Sequence, residues 1–174
     1  MKSLKECILE GILDIEDNIN YDIKEDVIEQ FLKDNYDIRG PHTIKETKDG
    51  FIVDVKGQVE VKNRDITSLT NGLFEFGKVE KGFNCSECRL LTSLEGSPKE
   101  VGWSFNCSYC KSLKTLEGAP KEVGETFYCN NCKSLKSLKG APQECYSFYC
   151  NDCGVKFNTE DVKKYTKVDG VIGV

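Results

Sequence analysis

The chain has 174 residues, 39% of them hydrophobic, and a net charge of −5, which suits one domain or one solenoid with an appendage. The charge is uneven, because residues 1–36 carry −6 and the rest of the chain sums to +1. This balance disfavours a generally basic nucleic-acid-binding protein. No apolar stretch approaches the ~20 residues that cross a membrane, and Glu6, Glu10 and Asp14 interrupt any secretory signal at the start. We therefore expect a cytoplasmic protein with no membrane partner, in which the ten cysteines are reduced.

Residues 1–40 are expected to form an acidic helical segment. Apolar residues recur at helical spacing over 2–13 and again over 22–35, which predicts two short helices. Arg39-Gly40-Pro41-His42 then breaks the pattern and marks the boundary of the segment. The helices are expected either to cover the end of the following domain or to bind a partner through their apolar stripe.

A capping β-hairpin is expected over residues 41–57. Thr43–Thr47 and Phe51–Val55 have the composition of strands and flank Asp49-Gly50, a dipeptide typical of tight hairpin turns. Such a hairpin would cover the first edge of the β structure that follows. An uncovered edge is a template for aggregation.

Residues 58–157 repeat with a period of 22 residues. Each repeat reads Phe-x-Cys-x-x-Cys, followed by Leu-x-x-Leu and Gly-x-Pro. Three full copies begin at Phe83, Phe105 and Phe127, and a fourth begins one residue early at Phe148 and lacks the leucines. Self-similarity at this period predicts stacked coils, because no single coil can bury its apolar face without a neighbour.

The final segment, residues 158–174, is expected to cap the other end of the stack, with Thr159 capping a short helix near 160–166. The whole chain is thus predicted to be an α+β protein. Its main part is a short β-solenoid, preceded by a helical segment and a capping hairpin.

Eight of the ten cysteines occupy two positions of the repeat, and three alternatives describe their role. The spacing Cys-x2-Cys-x18-Cys-x2-Cys is that of a zinc site, so a zinc-stabilised structural protein is one alternative. Disulfides are the second, which a reducing compartment disfavours. The third is a structural ladder of buried thiols formed by Cys85, Cys88, Cys107, Cys110, Cys129, Cys132, Cys150 and Cys153.

Comparison of the repeats with one another favours the thiol ladder, with no metal and no cofactor. Val61 replaces the first cysteine in an earlier, degenerate repeat, and Cys145 replaces Val101 and Val123 in the last one. Free cysteine behaves as a small buried hydrophobe, so exchange with valine in both directions is typical of a core position and not of a metal ligand. The second cysteine of each pair is expected to point inward and to hydrogen-bond backbone groups that the turn leaves unpaired.

The repeat motif resembles that of leucine-rich-repeat proteins. Segments such as Leu91-Thr-Ser-Leu-Glu-Gly-Ser-Pro and Leu113-Lys-Thr-Leu-Glu-Gly-Ala-Pro are most similar to the short cysteine-containing repeats of proteins from tailed bacteriophages and some gut bacteria. The resemblance covers residues 58–154. It implies a leucine-rich-repeat-like solenoid whose exposed strand face binds partners. It also implies a viral protein that acts in the cytoplasm of a bacterial host cell, with inhibition of a host factor as one expected role.

Outward side chains of the predicted strands are the candidates for partner binding. They form four rows: Gly82/Ser104/Thr126/Ser147, Asn84/Asn106/Tyr128/Tyr149, Ser86/Ser108/Asn130/Asn151 and, at the turn, Glu87/Tyr109/Asn131/Asp152. Tyrosine next to asparagine and serine is typical of recognition surfaces. We therefore predict a non-catalytic protein-binding module of open partner identity, with the binding residues Trp103, Asn106, Tyr109, Tyr128, Asn130, Tyr149 and Asn151.

Enzymatic chemistry finds little support in the sequence, and we expect no catalytic residue. His42 is the only histidine, and no phosphate-binding glycine-rich loop is present. The cysteines lack an evident basic neighbour that would lower a thiol pKa. A stripe of basic residues leaves weak nucleic-acid binding as a disfavoured alternative; it consists of Arg89, Lys111 and Lys133, with Lys114 and Lys136 one turn further.

Overall fold

The computed structural model describes the backbone of residues 20–174 and the side chains from residue 25 onward. In this range the protein is mostly β, and twelve strands form one sheet that curls into a β-solenoid of about six turns. Helix α1 spans Asn20–Asn35 and helix α2 spans Thr159–Lys163. The helix predicted over 2–13 lies outside the described residues, so the helical N-terminal segment as a whole stays a prediction.

The strands are short, and most coils contain two of them. In chain order they are β1 (Tyr36–Arg39), β2 (His42–Thr47), β3 (Gly50–Val55), β4 (Gln58–Val61), β5 (Glu75–Val79), β6 (Phe83–Asn84), β7 (Glu100–Val101), β8 (Phe105–Asn106), β9 (Glu122–Tyr128), β10 (Glu144–Tyr149), β11 (Lys167–Val168) and β12 (Ile172–Gly173).

Each coil contributes to two columns of parallel strands. The Val column stacks β3, β5, β7, the first parts of β9 and β10, and β11, with Val79, Val101, Val123 and Cys145 in register. The Phe column stacks β4, β6, β8, the last parts of β9 and β10, and β12, with Phe83, Phe105, Phe127 and Phe148 in register. The segments that carry Leu-x-x-Leu form the third side of the coil.

A bulge accommodates the early start of the fourth copy. The register of β9 against β10 shifts between Cys145 and Ser147, where Gly124 and Glu125 of β9 face a single residue of β10, Tyr146. Such a β-bulge absorbs a one-residue difference between neighbouring strands. Phe148 therefore still stacks on the phenylalanine of the preceding coil, with ring centroids 5.2 Å apart.

One core runs through the coils. The phenylalanine rings of the Phe column stack at centroid distances of 5.2–5.5 Å and interplanar angles of 5–17°. Offset stacking of this kind contributes about 0.5–1.5 kcal/mol per pair beyond the burial itself. The leucines of the third side are also buried, namely Leu91, Leu94, Leu113, Leu116, Leu135 and Leu138. Each coil thus covers the apolar face of its neighbour.

The first end of the stack is covered by antiparallel strands and by α1. Strand β1 pairs with β4, and β2 pairs with β3 in the hairpin around Asp49-Gly50. Helix α1 buries Ile28, Phe31 and Leu32 in the core. Because β3 also pairs in parallel with β5, the first coil begins inside the predicted capping hairpin.

The other end is covered by α2 and by the last two strands. The N-cap of α2 is Asn158, not Thr159 as predicted, because the Asn158 side chain accepts a hydrogen bond from the backbone N of Asp161 and the Asp161 carboxylate accepts one in return. Strands β11 and β12 then extend both columns by a last turn. No helix within residues 20–174 combines the length and the apolar character needed to cross a bilayer.

Candidate partner-binding face

The Phe column presents its outward side chains in a straight row. The register places Asn84 beside Asn106, Asn106 beside Tyr128 and Tyr128 beside Tyr149. Neighbouring strands lie ~4.8 Å apart, so equivalent side chains of successive coils contact one another. The rings of Tyr128 and Tyr149 stack with centroids 5.4 Å apart and an interplanar angle of 14°. This row brings together three of the seven predicted binding residues.

Amide hydrogen bonds organise the row beside it. Asn130 Oδ1 accepts hydrogen bonds from the backbone N and from Nδ2 of Asn151 in the next coil, at 2.9 and 3.0 Å. Asn106 Oδ1 instead accepts one from the backbone N of Ser108 at 3.0 Å. An asparagine that bonds the backbone two residues on stabilises a turn. Asn106 and Asn130 therefore hold the backbone as well as bordering the face.

Two serines that were expected to point outward are buried. Ser108 and Ser147 are each 5% exposed. Ser108 Oγ accepts a hydrogen bond from the backbone N of Asn130, and Ser147 Oγ accepts one from the backbone N of Val171. Strict in-and-out alternation fails here, because Ser108 follows a strand of only two residues and Ser147 lies beside the bulge. These serines connect neighbouring coils and do not belong to the candidate face.

Tyr109 lies at one edge of the face, in a left-handed turn. Its φ is 62°, and the equivalent residues Glu87, Asn131 and Asp152 have φ of 62°, 58° and 56°. Asparagine and aspartate tolerate this region, whereas for other side chains it costs roughly 1–2 kcal/mol. Tyr109 is nevertheless 50% exposed. Tyr109 thus places a large exposed aromatic ring on a backbone conformation that the asparagine or aspartate of later coils adopts more readily.

Trp103 lies at the opposite edge, in a column that sequence reasoning missed. Lys81, Trp103 and Glu125 are spaced by 22 residues, and the backbone N of each later residue donates to the carbonyl of the one before. The Nζ of Lys81 lies 5.3 Å from the centroid of the Trp103 ring, a cation–π contact. Trp103 is 47% exposed. The repeat period itself could have revealed this column.

The eight cysteines of the predicted ladder lie beneath this face in two columns. The thiols of the second column donate to carbonyl oxygens of the first column one coil earlier: Cys110 to Cys85 at 3.2 Å, Cys132 to Cys107 at 3.3 Å and Cys153 to Cys129 at 3.2 Å. The nine cysteines in the described part of the chain are free thiols. Within the same part, no group of three or more His, Cys, Asp or Glu side chains is arranged to hold a metal ion.

Burial keeps most of these thiols protonated, since removal from water disfavours the charged form. It raises the pKa of Cys85, Cys107 and Cys129 well above the usual value, and it raises the pKa of Cys88 to about 11. Cys153 is only half-buried, and a hydrogen bond donated by the Cys129 thiol, with a smaller contribution from the charge of Lys133, lowers the pKa of Cys153. The sequence showed no evident basic neighbour of a cysteine, but the fold brings Lys133 near Cys153 and Arg64 near Cys88, and each cation acts to lower the pKa of its thiol.

The basic stripe lies on the third side of the coil, away from the strands. Its side chains are exposed and form no ion pair with any residue of the described range: Arg89, Lys111, Lys114, Lys133 and Lys136. Lys133 Nζ instead donates a hydrogen bond to the backbone carbonyl of Asp152 at 2.8 Å. Lysines on the Val column and at the ends do pair with acids, as Lys78 does with Glu100 at 3.2 Å.

The face therefore consists of a hydrogen-bonded strand surface with a stacked tyrosine pair in the middle and one exposed aromatic residue at each edge. Its backbone is fixed by the coils beneath, so its side chains start from defined positions. No protein-family model matches this sequence, and comparison with curated proteins and with solved structures finds no significant match.

Proposed function

We propose that the protein is a non-catalytic protein-binding module, which holds its partner against the outward side of the Phe column. The observation that carries this proposal is the stacked pair Tyr128 and Tyr149 on neighbouring strands. Tyrosine supplies a large contact area at a small cost in conformational entropy, and it is enriched among the residues that dominate binding energy.

Preorganisation supports the same proposal. The two rings stack on each other, and the adjacent Asn130 and Asn151 are joined by hydrogen bonds, so little freedom is lost when a partner docks. Trp103 and Tyr109 extend the face to both edges and are each about half exposed. A partner that covers the whole face would bury all four aromatic side chains.

The test is affinity capture from a bacterial lysate with immobilised protein and quantitative mass spectrometry. The double variant Tyr128→Ala/Tyr149→Ala should retain the captured partner at least about tenfold less well than the unaltered protein, since two interface tyrosines are lost. Tyr146→Ala and Tyr165→Ala are matched controls, because both tyrosines are exposed but lie off this row. Unchanged capture by a folded double variant would refute the proposal.

We further propose that the solenoid is of the leucine-rich-repeat type and that the protein is of phage origin and acts on a host factor in the bacterial cytoplasm. The support is the repeat Phe-x-Cys-x-x-Cys-x-x-Leu-x-x-Leu-x-Gly-x-Pro itself and its resemblance to phage repeat proteins. Identification of the captured protein as a bacterial enzyme whose activity falls on binding would support this origin. Capture of proteins from non-bacterial lysates alone would oppose it.

The basic stripe favours a second candidate function, weak binding to a nucleic-acid backbone. Its five cations lie on one side of the coil without ion pairs in the described range. Five phosphate contacts predict a slope of log affinity against log salt of about −4.5 at most for duplex DNA. Lys111→Gln/Lys133→Gln should flatten this slope, and Lys163→Gln on α2 is the control. Absence of any binding at low salt would exclude this candidate.

A further inference from the structure

A shallow cavity lies between Trp103 and Tyr128, on the same side of the molecule as the Phe column. Its volume is about 240 Å³, and Asn84, Asn106 and Glu125 contribute polar side chains to its lining. Gly82 also lines it, and the absence of a side chain there leaves the space open. Sites for drug-sized ligands occupy roughly 300–1,000 Å³, so this cavity suits a single small ring or one unit of a longer chain.

Two amide groups of the lining have a defined polarity. Asn84 Oδ1 and Asn106 Oδ1 accept hydrogen bonds from the backbone N of Ser86 and of Ser108, each at 3.0 Å. Each oxygen therefore has one of its two lone pairs in use, and the Nδ2 groups have no partner among the described residues. Each Nδ2 can donate two hydrogen bonds. Each asparagine thus offers a ligand two N–H donors and one remaining lone pair.

Glu125 supplies the acceptor. Its Oε2 accepts a hydrogen bond from Ser104 Oγ at 3.3 Å, which leaves further lone pairs on the carboxylate. The indole Nε1–H of Trp103 has no hydrogen-bond partner in the described part of the chain, so it adds one more donor. Donors and acceptors of fixed direction thus surround a space with an aromatic ring on each side.

The charges around the cavity disfavour an ionic ligand. Lys81 lies over the Trp103 ring at 5.3 Å, and its ammonium opposes a cation, as do the amide donors of Asn84 and Asn106. The carboxylate of Glu125 opposes an anion. The remaining class is a neutral molecule that both donates and accepts hydrogen bonds and that has an apolar surface for the aromatic rings.

We propose that this cavity binds one sugar unit of a neutral saccharide. Hydroxyl groups donate and accept in the same molecule, so they match the Glu125 carboxylate and the Nδ2 groups at once. The C–H face of a sugar ring supplies the apolar surface that packs on Trp103 and Tyr128. This site goes beyond the proposed protein-binding function and does not depend on it.

The sole tryptophan of the chain lines the cavity, so its fluorescence reports on occupancy. The full-length protein is titrated with neutral oligosaccharides of glucose, mannose, galactose and N-acetylglucosamine. At least one of them should shift the Trp103 emission in a saturable manner. Absence of a saturable shift with all four at millimolar concentration overturns the proposal.

Asn106→Asp is the variant that tests the hydrogen bond to the ligand most directly. It keeps the oxygen that accepts from the backbone N of Ser108 and replaces the Nδ2 donor by a carboxylate oxygen. The turn is therefore retained, and the protein no longer offers the ligand a hydrogen-bond donor at this position. Affinity for the responding saccharide should fall about tenfold or more, as expected for a lost hydrogen bond next to a new charge. Tyr165→Ala, at a residue that follows α2 and does not line the cavity, should bind as the unaltered protein does. Equal affinity of Asn106→Asp and the unaltered protein would place the saccharide elsewhere and overturn the assignment.

The outcome separates this site from the proposed protein-binding function. If a captured protein partner shifts Trp103 emission and the saccharides do not, the cavity belongs to the protein interface and the saccharide proposal is wrong. If saccharides bind while Tyr128→Ala/Tyr149→Ala leaves protein capture unchanged, the protein-binding proposal fails and the saccharide site stands.

Discussion

The thiol of Cys110 donates a hydrogen bond to the backbone carbonyl of Cys85, one coil earlier, at 3.2 Å. No backbone N–H of the described residues reaches this carbonyl, because it lies just beyond strand β6. The thiol of Cys107 also meets a carbonyl, that of Tyr128, but this oxygen already accepts the backbone N of Cys107 at 2.9 Å. The two cysteines of a repeat therefore differ in role. The first, such as Cys107, packs in the core, whereas the second, such as Cys110, packs there and also supplies the hydrogen bond for an otherwise unpaired carbonyl.

Replacement of these two cysteines by valine should have unequal effects on stability. Cys107→Val is a near-isosteric change in the core and should lower the free energy of unfolding by about 1 kcal/mol or less. Cys110→Val leaves the Cys85 carbonyl without a donor, which costs roughly 1–3 kcal/mol in addition. Urea denaturation of both variants measures the difference.

Equal and very large losses at both positions would contradict this hydrogen-bond account. They would favour the alternative of a zinc-stabilised protein, in which each cysteine of a pair is a ligand. Elemental analysis of the unaltered protein is the control, since tightly held zinc near one or two ions per chain is what that alternative requires.

Stability should fall in alkaline solution. The pKa of Cys85, Cys107 and Cys129 is raised well above 9.0 by burial, whereas the same thiols in the unfolded chain ionise near that ordinary value. As the pH rises, the unfolded state loses protons first, so the free energy of unfolding is level below about pH 8 and then declines. The slope is about 1.4 kcal/mol per pH unit for each such thiol until its folded pKa is reached.

Denaturation curves from neutral pH to about pH 11 test this pH dependence, and Cys107→Val should remove one thiol's share of the slope. A flat profile would mean that the thiols ionise in the folded state.

Glu122→Lys should stabilise the Val column. Glu122 lies between Glu100 and Glu144 on the neighbouring strands, and those two are paired with Lys78 and Lys167 at 3.2 and 3.9 Å. A lysine at 122 would lie between two glutamates, so two repulsive contacts become attractive ones. This change should raise the free energy of unfolding by about 0.5–1 kcal/mol. Thermal unfolding at low and high salt measures the gain, which should shrink with salt. Glu46→Lys on the edge strand β2 makes the same charge change away from the column, and an equal gain there would assign the effect to net charge.

Replacement of Tyr109 in the left-handed turn should stabilise the fold and weaken partner binding. Tyr109→Asn places at φ 62° a residue that tolerates this region, as Asn131 does in the next coil. It should raise the free energy of unfolding by about 0.5–1 kcal/mol and weaken partner capture. The reverse change, Asn131→Tyr, is the matched control and should destabilise by a similar amount. A destabilised Tyr109→Asn would show that the ring supports the fold.

Cys153 should be the first cysteine of the described range to react with iodoacetamide in the native protein. The pKa of Cys153 is lowered by a hydrogen bond that the Cys129 thiol donates, and Cys153 borders a cavity of about 350 Å³ at the end of the stack. Thiolate and access together determine thiol reactivity. Peptide mapping after brief labelling identifies the site, and labelling in urea, where the cysteines should react alike, is the control. Earlier labelling of Cys145 or Cys150 would contradict this order.

Much of the solenoid could be predicted from the sequence, because the same positions are buried in every coil and their apolar residues therefore recur at the length of one coil. The 22-residue period identified which residues of successive coils stack on one another. The exchange of valine and cysteine predicted that Cys145 lies in the same column as Val101 and Val123, and the strand register agrees. A periodic pattern records which side chains must be buried in every coil, and that is enough to define coils and their order. It also placed Tyr128 beside Tyr149.

Tertiary structure alone decided which atoms meet between coils. The bond from Cys110 to Cys85, the burial of Ser108 and the hydrogen bond from Ser108 N to Asn106 Oδ1 all depend on the path of the chain around and between the coils. The cavity at Trp103 depends on the residues that neighbouring coils place around it, Asn84 from the coil before and Glu125 from the coil after. A sequence pattern describes burial along one coil, whereas hydrogen bonds and cavities form between coils, where a shift of about one ångström decides which donor reaches which acceptor.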